Sequence, residues 1–85
     1  MKNYITPDII EVEAKDDYTL IIVFDTKEKK IFNMKKLIEN NKIYFRLKDK
    51  DYFNKVKSRG DTVEWENGED VCPEKLYYES VKIEK

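Results

Sequence analysis

The sequence predicts one small α+β domain, in which an antiparallel sheet (a three-stranded meander plus one or two further strands) has short helices packed on one side. Two patterns indicate this fold. Apolar residues alternate with a period of two near the start of the chain, and from residue 34 they follow the three- and four-residue spacing of a helix. The length of 85 residues predicts a single domain, residues 1–85. An aromatic content of 13% argues against disorder.

The N-terminal part of the chain predicts the meander. Ile10, Val12 and Ala14 alternate with charged residues, which is typical of the buried side of a first strand. Residues 18–24 carry apolar side chains on both faces, so we expect a central strand that is covered on both sides. The tight connection between these strands predicts an antiparallel hairpin, and a third strand follows near residues 30–33.

Helical spacing begins directly after the third strand. Met34, Leu37 and Ile38 lie at positions i, i+3 and i+4, which predicts a short helix with Asn33 as its N-cap residue. The next segment mixes apolar and basic residues. Residues 49–57 then predict a second helix, because their apolar side chains lie three positions apart.

The C-terminal part predicts a strand, a turn, a helix and a final strand. Every second residue of 62–66 is apolar, which predicts a strand with those residues facing inward. Asn67 and Gly68 are the strongest turn signal, since both residues tolerate positive φ. Pro73 fits the first position of a helix, and a short edge strand is expected near residues 81–83.

The same segment carries a family resemblance. Its motif residues are Trp65, Asn67, Gly68, Asp70 and Pro73. Together with a weaker strand pattern over residues 6–80, the motif resembles the small bacterial family named domain of unknown function 2442. The resemblance implies a compact α+β fold that occurs alone or attached to a helix-turn-helix DNA-binding domain. It implies no established activity, although members are similar to small partners of other short bacterial proteins in toxin–antitoxin-like pairs.

Two positions depart from the family pattern. The family usually has a glycine in the turn after its second strand, where this chain has Lys27. Its third strand often ends in an aspartate, and Asn33 stands there in this chain, which keeps a capping side chain and loses its charge. Neither departure changes the expected fold.

The charge is balanced overall but unevenly distributed along the chain. There are 17 basic and 18 acidic residues, a net charge of −1. Residues 1–26 carry a net charge of −4, residues 27–59 have twelve basic and four acidic side chains and a net charge of +8, and residues 60–85 carry −5. In one interpretation, oppositely charged elements are simply neighbours in the fold. In the other, they form separate surface lobes that steer a partner.

The residue types present exclude several kinds of chemistry. The chain has no histidine, which removes the usual proton shuttle and the commonest metal ligand. Its two glycines are isolated, so they make no phosphate-binding loop. Cys72 is the single cysteine, which excludes an intrachain disulfide, and we expect it to be a small buried residue. We therefore predict no enzyme activity, no catalytic residues, no metal site and no cofactor.

Binding of a protein is the preferred functional hypothesis. The candidate partner-binding residues are Lys42, Arg46, Lys48, Lys50, Lys55, Tyr77 and Tyr78. They would supply a charge-complementary surface and aromatic anchors, used together with a sheet edge. The expected partner is another bacterial protein, bound in an antitoxin-like or inhibitor-like manner, or a second copy of this chain that pairs through a sheet edge.

Two alternatives remain open. A nucleic-acid-binding module would use residues 42–57, where basic side chains that neutralise phosphates are interleaved with aromatic side chains that stack on bases. Against this, Phe45 and Phe53 are needed for the core of so small a domain, and the net acidity of the other segments would weaken binding. A small-molecule-binding domain would be built around Trp65, Asp70 and Cys72.

Sequence signals for targeting are absent. The N-terminus lacks the apolar run of a signal peptide, and the longest apolar stretch, residues 20–24, is far shorter than the roughly 20 residues of a membrane-spanning helix. Together with a lone thiol, this predicts a cytoplasmic protein without a membrane partner.

Overall fold

The computed structural model of the chain describes residues 6–83 and confirms the α+β fold. In chain order the elements are β1 (Ile9–Ala14), β2 (Thr19–Phe24), β3 (Lys29–Asn33), α1 (Lys35–Asn40), a 3-10 helix (Lys42–Lys48), α2 (Lys50–Phe53), β4 (Lys57–Ser58), β5 (Val63–Glu64), α3 (Pro73–Glu79) and β6 (Val81–Lys82). Within the described range, none of these helices has the length and apolar character of a membrane span.

Four strands form one antiparallel sheet in the order β1-β2-β3-β6. The first three are consecutive and pair as the predicted meander, with Val12 opposite Ile22 and Ile22 opposite Lys30. The predicted terminal strand, β6, pairs with the other side of β3 through Val81 and Ile31. β1 and β6 are therefore the edge strands of this sheet, and β4 and β5 form a separate two-stranded sheet.

The helices pack against one face of the four-stranded sheet, which we call the covered face. On β2, Leu20, Ile22 and Phe24 point to this face and are at most 1% exposed. The residues that the helices add to the same apolar cluster are Ile38, Tyr44, Leu47, Phe53 and Leu76. The opposite face, the open face, carries Ile21 and Val23, which are half-buried and lie outside that cluster. The expectation that β2 is covered on both sides is therefore wrong.

A β-bulge near the start of β1 changes which residues face the core. The register shifts between Ile9, which lies opposite Phe24, and Glu11, which lies opposite Val23. The extra residue, Ile10, is 56% exposed, and Ile9 is buried instead. The alternation that placed Ile10 on the buried side is wrong, because an inserted residue interrupts the period of two.

The first two α-helices begin differently. The N-cap residue of α1 is Met34, without a side-chain capping bond, because the first intrahelical bond runs from the N–H of Ile38 to the Met34 carbonyl. The prediction of Asn33 as the N-cap is therefore wrong by one residue, although its Oδ1 atom accepts from the backbone N–H of Lys35 at 2.8 Å. Asp49 is the N-cap of α2, and its side chain accepts from the backbone N–H of Asp51 at 3.0 Å. α2 is shorter than the predicted helix over 49–57, because the chain leaves the helix to form β4.

The C-terminal turn and helix follow the prediction. Gly68 has a φ of 101°, and its N–H donates to the carbonyl of Trp65 at 2.9 Å. Val63 and Trp65 face inward, with 0% and 1% of their surface exposed. Pro73 is the first residue of α3, where its missing N–H would have had no partner in the helix.

Two hairpin turns hold a residue other than glycine in the left-handed region. Tyr18, before β2, has a φ of 65°, and Lys27, between β2 and β3, has a φ of 78°. A residue with a Cβ atom is roughly 1–2 kcal/mol less stable in this conformation. Lys27 is exposed, whereas the ring of Tyr18 packs edge-on against Phe53 at 5.3 Å and its hydroxyl donates to the carbonyl of Lys48. Tyr18 therefore gains contacts that offset its backbone strain.

Candidate functional site

The basic segment predicted to bind a partner begins as a 3-10 helix, which sets the direction of each side chain. With three residues per turn, side chains at i and i+3 lie above one another. Tyr44 and Leu47 form the buried column, with 7% and 0% of their surface exposed. The outward columns are Lys42, Phe45 and Lys48 in one and Ile43 and Arg46 in the other. We call these five outward residues the 3-10 surface.

Two large apolar residues of the 3-10 surface are exposed. Ile43 is 65% exposed and Phe45 is 58% exposed. The expectation that Phe45 is needed for the core is wrong, because Tyr44 and Leu47 occupy the inward column of this helix. Sequence reasoning also missed Ile43 as a surface residue. The three-residue spacing of Tyr44 and Leu47 is the signal that would have placed both side chains outside.

Hydrogen bonds at both ends fix the 3-10 helix to the domain. The hydroxyl of Tyr44 donates to the backbone carbonyl of Asp70 at 2.8 Å. Burial, followed by the nearby Asp70 charge, raises the pKa of this hydroxyl above its ordinary value of 10.0, so it stays a donor at neutral pH. At the other end, the carbonyl of Lys48 accepts from the hydroxyl of Tyr18. The 3-10 surface is thus presented on a backbone anchored by two tyrosines.

A hydrogen-bonded cluster of polar groups lies beside the 3-10 surface. The guanidinium of Arg46 lies 5.4 Å from the centre of the Phe45 ring and 4.0 Å from the buried carboxylate of Glu69. Tyr52 donates to that carboxylate at 2.6 Å and accepts from the backbone N–H of Asn67 at 2.8 Å. Burial and the Glu69 bond raise the pKa of Tyr52. The cluster therefore connects α2 and the Asn67 turn to Arg46.

An open groove of about 550 Å³ runs along this cluster. The residues that line it are Phe45, Arg46, Lys48, Asp49, Tyr52 and Asn67. A second, smaller groove of about 250 Å³ shares Arg46 and Asn67 and includes Ile43. The two exposed apolar side chains of the 3-10 surface, together with Arg46 and Lys48, therefore border two adjoining grooves.

Some side chains of the basic segment 27–59 contact carboxylates of the acidic segment 60–85. Arg59 lies 2.9 Å from the Asp70 carboxylate and 3.6 Å from that of Glu64, and Arg46 approaches Glu69. Both arginines of the basic segment thus contact the acidic segment that follows it. The interpretation that oppositely charged elements are neighbours therefore holds for the two arginines, whereas lysines such as Lys42 are exposed.

Comparison with known proteins gives one result. The family described as Protein of unknown function (DUF2442) matches residues 9–82. The chain belongs to this family. No curated protein and no solved structure matches the chain. The motif resemblance noted in the sequence is therefore confirmed for the family, and the DUF2442 fold is seen here with its helices on one face of a four-stranded sheet.

Most residues of the DUF2442 motif build the scaffold under the grooves. The indole N–H of Trp65 donates to the carbonyl of Phe53 at 2.9 Å, and the two rings stack at 5.8 Å. Gly68 provides the left-handed turn, and Pro73 starts α3. Asn67 is the motif residue whose surface lines both grooves. The motif thus supports the 3-10 helix, and its residues Asn67, Gly68 and Asp70 line the adjoining grooves.

Asp70 has a different role from the one expected. Asp70 and Glu74 are four residues apart near a helix start, a spacing that predicts capping or dipole stabilisation. Glu74 does lie in the first turn of α3, but the residue at the N-cap position is Cys72, without a side-chain capping bond. The Asp70 carboxylate instead contacts Arg59, and its carbonyl accepts from Tyr44. The prediction is wrong because these long-range partners cannot be identified from local spacing.

The remaining candidate binding residues lie elsewhere. Lys50 is the exposed first residue of α2, and its Nζ atom lies 5.5 Å from the centre of the Tyr18 ring. Lys55 is exposed two residues after α2 ends. Tyr77 and Tyr78 are on α3 and border a different open groove, which also contains two aspartates. Three of the five basic candidates therefore share the 3-10 surface, and the two tyrosines do not border its grooves.

Tyr77 holds α3 to the sheet. Its hydroxyl donates to the carboxylate of Glu28 at 2.6 Å, and its ring meets Phe24 edge-on at 5.0 Å. The bond from Tyr77, and then that from Thr26, holds the pKa of Glu28 below its ordinary value of 4.5. Tyr78 is 61% exposed and packs edge-on against Tyr77 at 5.0 Å. Tyr77 is therefore mainly structural, and Tyr78 is the more accessible of the two.

The residues proposed for a small-molecule site are not brought together. Trp65 is 1% exposed, whereas Asp70 contacts Arg59 at the surface. Cys72 is exposed, so the expectation of a small buried residue is wrong; its Sγ atom lies 3.0 Å from an oxygen of Glu74. Across residues 6–83, no group of three acidic or cysteine side chains is arranged to hold a metal ion.

Proposed function

We propose that this protein is a non-enzymatic protein-binding or regulatory module that contacts its partner through the 3-10 surface. The observation that carries the proposal is the exposure of Ile43 and Phe45 on a short helix that two tyrosine hydrogen bonds fix in place. Exposed apolar side chains on a fixed backbone lose little conformational freedom when they are buried by a partner, which favours binding.

The chemistry of the surface defines the partner. Full burial of a side chain such as Phe45 stabilises a complex by about 1.5–3 kcal/mol, and aromatic and arginine side chains dominate interface energies. The flanking cations, Lys42 and Lys48, complement acidic groups around the apolar contact. The expected partner surface is therefore an apolar pocket with an acidic rim.

The 3-10 surface is a better candidate than a sheet edge. At the β1 edge, the N–H of Ile9 donates to the carbonyl of Gly60 at 2.7 Å, and Ser58 donates to the carbonyl of Ile9 at 3.0 Å. The other edge strand, β6, has two residues. β6 therefore offers only a short ladder for strand addition, and the first residue of β1 is already bonded to the β4–β5 hairpin.

We further propose that the partner is another short bacterial protein and that the pair works in the cytoplasm. The family resemblance supports an antitoxin-like or inhibitor-like role, in which the partner is held inactive. The residue types of the chain support a role without catalysis, since it has no histidine and a single cysteine.

Site-specific photo-crosslinking in the native host tests the proposal. A photoreactive residue at position 45 is expected to capture one defined protein, and the same residue at position 10 is the control, since Ile10 has a similar exposure of 56%. With the captured partner purified, Phe45→Ala is expected to weaken binding at least tenfold and Ile10→Ala less than twofold. Equal capture at both positions, or unchanged affinity of Phe45→Ala, contradicts the proposal.

Single-stranded nucleic acid is the second candidate ligand. Phe45 is exposed between Lys42 and Lys48 in one column, so a base stacked on the ring would have a cation on either side for its phosphates. Three cations at this surface predict a slope of about −2 for the logarithm of affinity against the logarithm of salt concentration. Fluorescence polarisation with a labelled oligonucleotide measures this slope. An absence of binding at low salt ends this alternative.

The third candidate, a small-molecule-binding domain, is supported by the groove of about 550 Å³. The groove is open and polar at Tyr52 and Asn67, and the buried Trp65 ring contributes no wall to it. Thermal-shift screening with the Phe45→Ala variant as control measures this binding. A ligand that stabilises both proteins equally does not use the groove.

A further inference from the structure

The open face of the four-stranded sheet is a second surface without a covering layer among residues 6–83. Ile21, Val23 and Ile31 point to this face and are half-buried, and Val81 is 64% exposed. Glu11, Glu13 and Lys29 border the same face, and a shallow groove of about 240 Å³ lies between them with Ile21 and Val23 in its lining. The open face is thus an apolar strip with charged margins.

The charges on this face are arranged in an ordered row. Glu11 of β1 lies opposite Val23 of β2, which lies opposite Lys29 of β3. Across three neighbouring strands the row therefore reads acidic, apolar, basic. The next row reads Glu13, Ile21, Ile31 and Val81. Glu13 has a basic neighbour in its own chain, since Lys15 lies 3.8 Å from its carboxylate.

We propose that the open face binds a second copy of this chain, with a two-fold axis parallel to β2. Such an axis inverts the order of the strands and preserves position along them. It places Glu11 of each copy over Lys29 of the other and Val23 over Val23. A two-fold interface requires a self-complementary patch, and the acidic–apolar–basic row meets this requirement. An axis perpendicular to the strands would place β1 of one copy over β1 of the other and bring their acidic residues together.

The size of the face sets the strength of this dimer. With strands about 4.8 Å apart and same-face residues about 7 Å apart along each strand, the face covers roughly 200–300 Å². A standard stable interface buries about 800 Å² per partner. The dimer is therefore weak, with an expected dissociation constant of roughly 0.1–1 mM, and its detection needs protein concentrations near 1 mM.

Charge reversal at the two margins tests the proposal by sedimentation equilibrium of the full chain. Glu11→Lys and Lys29→Glu each replace two attractive contacts by two repulsive ones, so each variant alone is expected to weaken dimerisation at least tenfold. The double variant restores opposite charges and is expected to dimerise like the original chain. An equimolar mixture of the two single variants restores both contacts and is expected to form heterodimers. Both residues are exposed, so the variants are expected to fold, and circular dichroism checks this.

The outcomes separate this inference from the proposed function. Phe45→Ala, on the opposite side of the sheet, is expected to leave dimerisation unchanged within twofold. A chain that remains monomeric at 1 mM overturns the inference, including the case in which a different protein covers the open face. A dimer that forms equally well with both single variants also overturns it, because the charged row would then have no part in the interface.

Discussion

Ile21 and Ile22 are consecutive residues of β2, yet they belong to two different surfaces of the molecule. Ile22 is fully buried on the covered face, under the helices, and Ile21 is half-buried on the open face. The same contrast separates Lys30, which is 8% exposed, from its neighbour Lys29, which is exposed. Strand alternation thus places one set of residues in the core and leaves the other set at the surface.

Truncation of the two isoleucines is the strongest test of this difference. Ile22→Ala removes methyl groups from a packed core and is expected to lower the free energy of unfolding by about 2–5 kcal/mol. Ile21→Ala removes the same atoms from a half-exposed site, so a loss of less than about 1 kcal/mol is expected. Urea denaturation of both variants measures the two values. Equal losses would show that the open face is as important for folding as the covered face.

The two adjacent lysines give a second pair. The Nζ atom of Lys30 donates to the carbonyl of Tyr77 at 2.7 Å and lies 4.1 Å from the centre of the Tyr77 ring. Lys30→Ala is expected to cost about 1.5–3 kcal/mol, the range for a hydrogen bond from a charged group. Lys29→Ala is expected to change the free energy of unfolding by less than about 0.5 kcal/mol. A Lys30 variant as stable as the Lys29 variant would contradict the assignment of α3 to the covered face.

The two turns that hold a left-handed residue give a third pair, in which substitution by glycine is expected to raise stability at one position and lower it at the other. Lys27→Gly removes the left-handed strain at an exposed residue and is expected to stabilise the domain by up to about 1 kcal/mol. Tyr18→Gly relieves the same strain but removes the contact with Phe53 and the bond to the Lys48 carbonyl, so a net loss of about 1–3 kcal/mol is expected. Thermal unfolding of the two variants measures whether each change raises or lowers the stability of the domain. Stabilisation by both changes would mean that the Tyr18 contacts contribute little.

The smallest expected effect depends on pH. Because the pKa of Glu28 is lowered in the folded state, its contribution to stability is present above 4.5 and is lost as the pH falls below that value through the folded pKa. Glu28→Gln is therefore expected to have a lower urea midpoint at pH 7 and the same midpoint as the original chain near pH 2. The matched control is Glu11→Gln on the open face. A pH-independent difference for Glu28→Gln would show that the Tyr77 bond does not depend on the carboxylate charge.

Local sequence signals were sufficient for most of the fold. The meander follows from the alternation over residues 10–14 and the apolar run of β2, and the late turn and helix follow from the Asn67-Gly68 pair and the position of Pro73. The bulge at Ile10 could not be predicted, because Ile9 and Ile10 are equally apolar and either can be the buried residue. The sequence also could not show that one face of β2 is uncovered, because a strand with half-exposed isoleucine and valine has the same apolar pattern as a fully buried strand.

The candidate site was less predictable than the fold. The segment itself was found, because basic and aromatic residues are interleaved from Lys42 onwards. The outward position of Phe45 depends on a 3-10 helix, whose three-residue period is close to that of an α-helix and is easily confused with it. The partners of Arg59 and Asp70 were not predictable, because tertiary structure brings these side chains together.

The pairing of β6 with β3 has a consequence for the newly made chain. Ile31 pairs with Val81, fifty positions later, so one edge of β3 stays open while the residues between them are synthesised. At ribosomal rates of roughly 5–20 residues per second, this interval lasts roughly 3–10 s. Lys29 and Lys30 occupy that edge, and lysines discourage the addition of foreign strands. The lysines of β3 therefore make this edge a poor template for foreign strands in a chain that has not yet added β6.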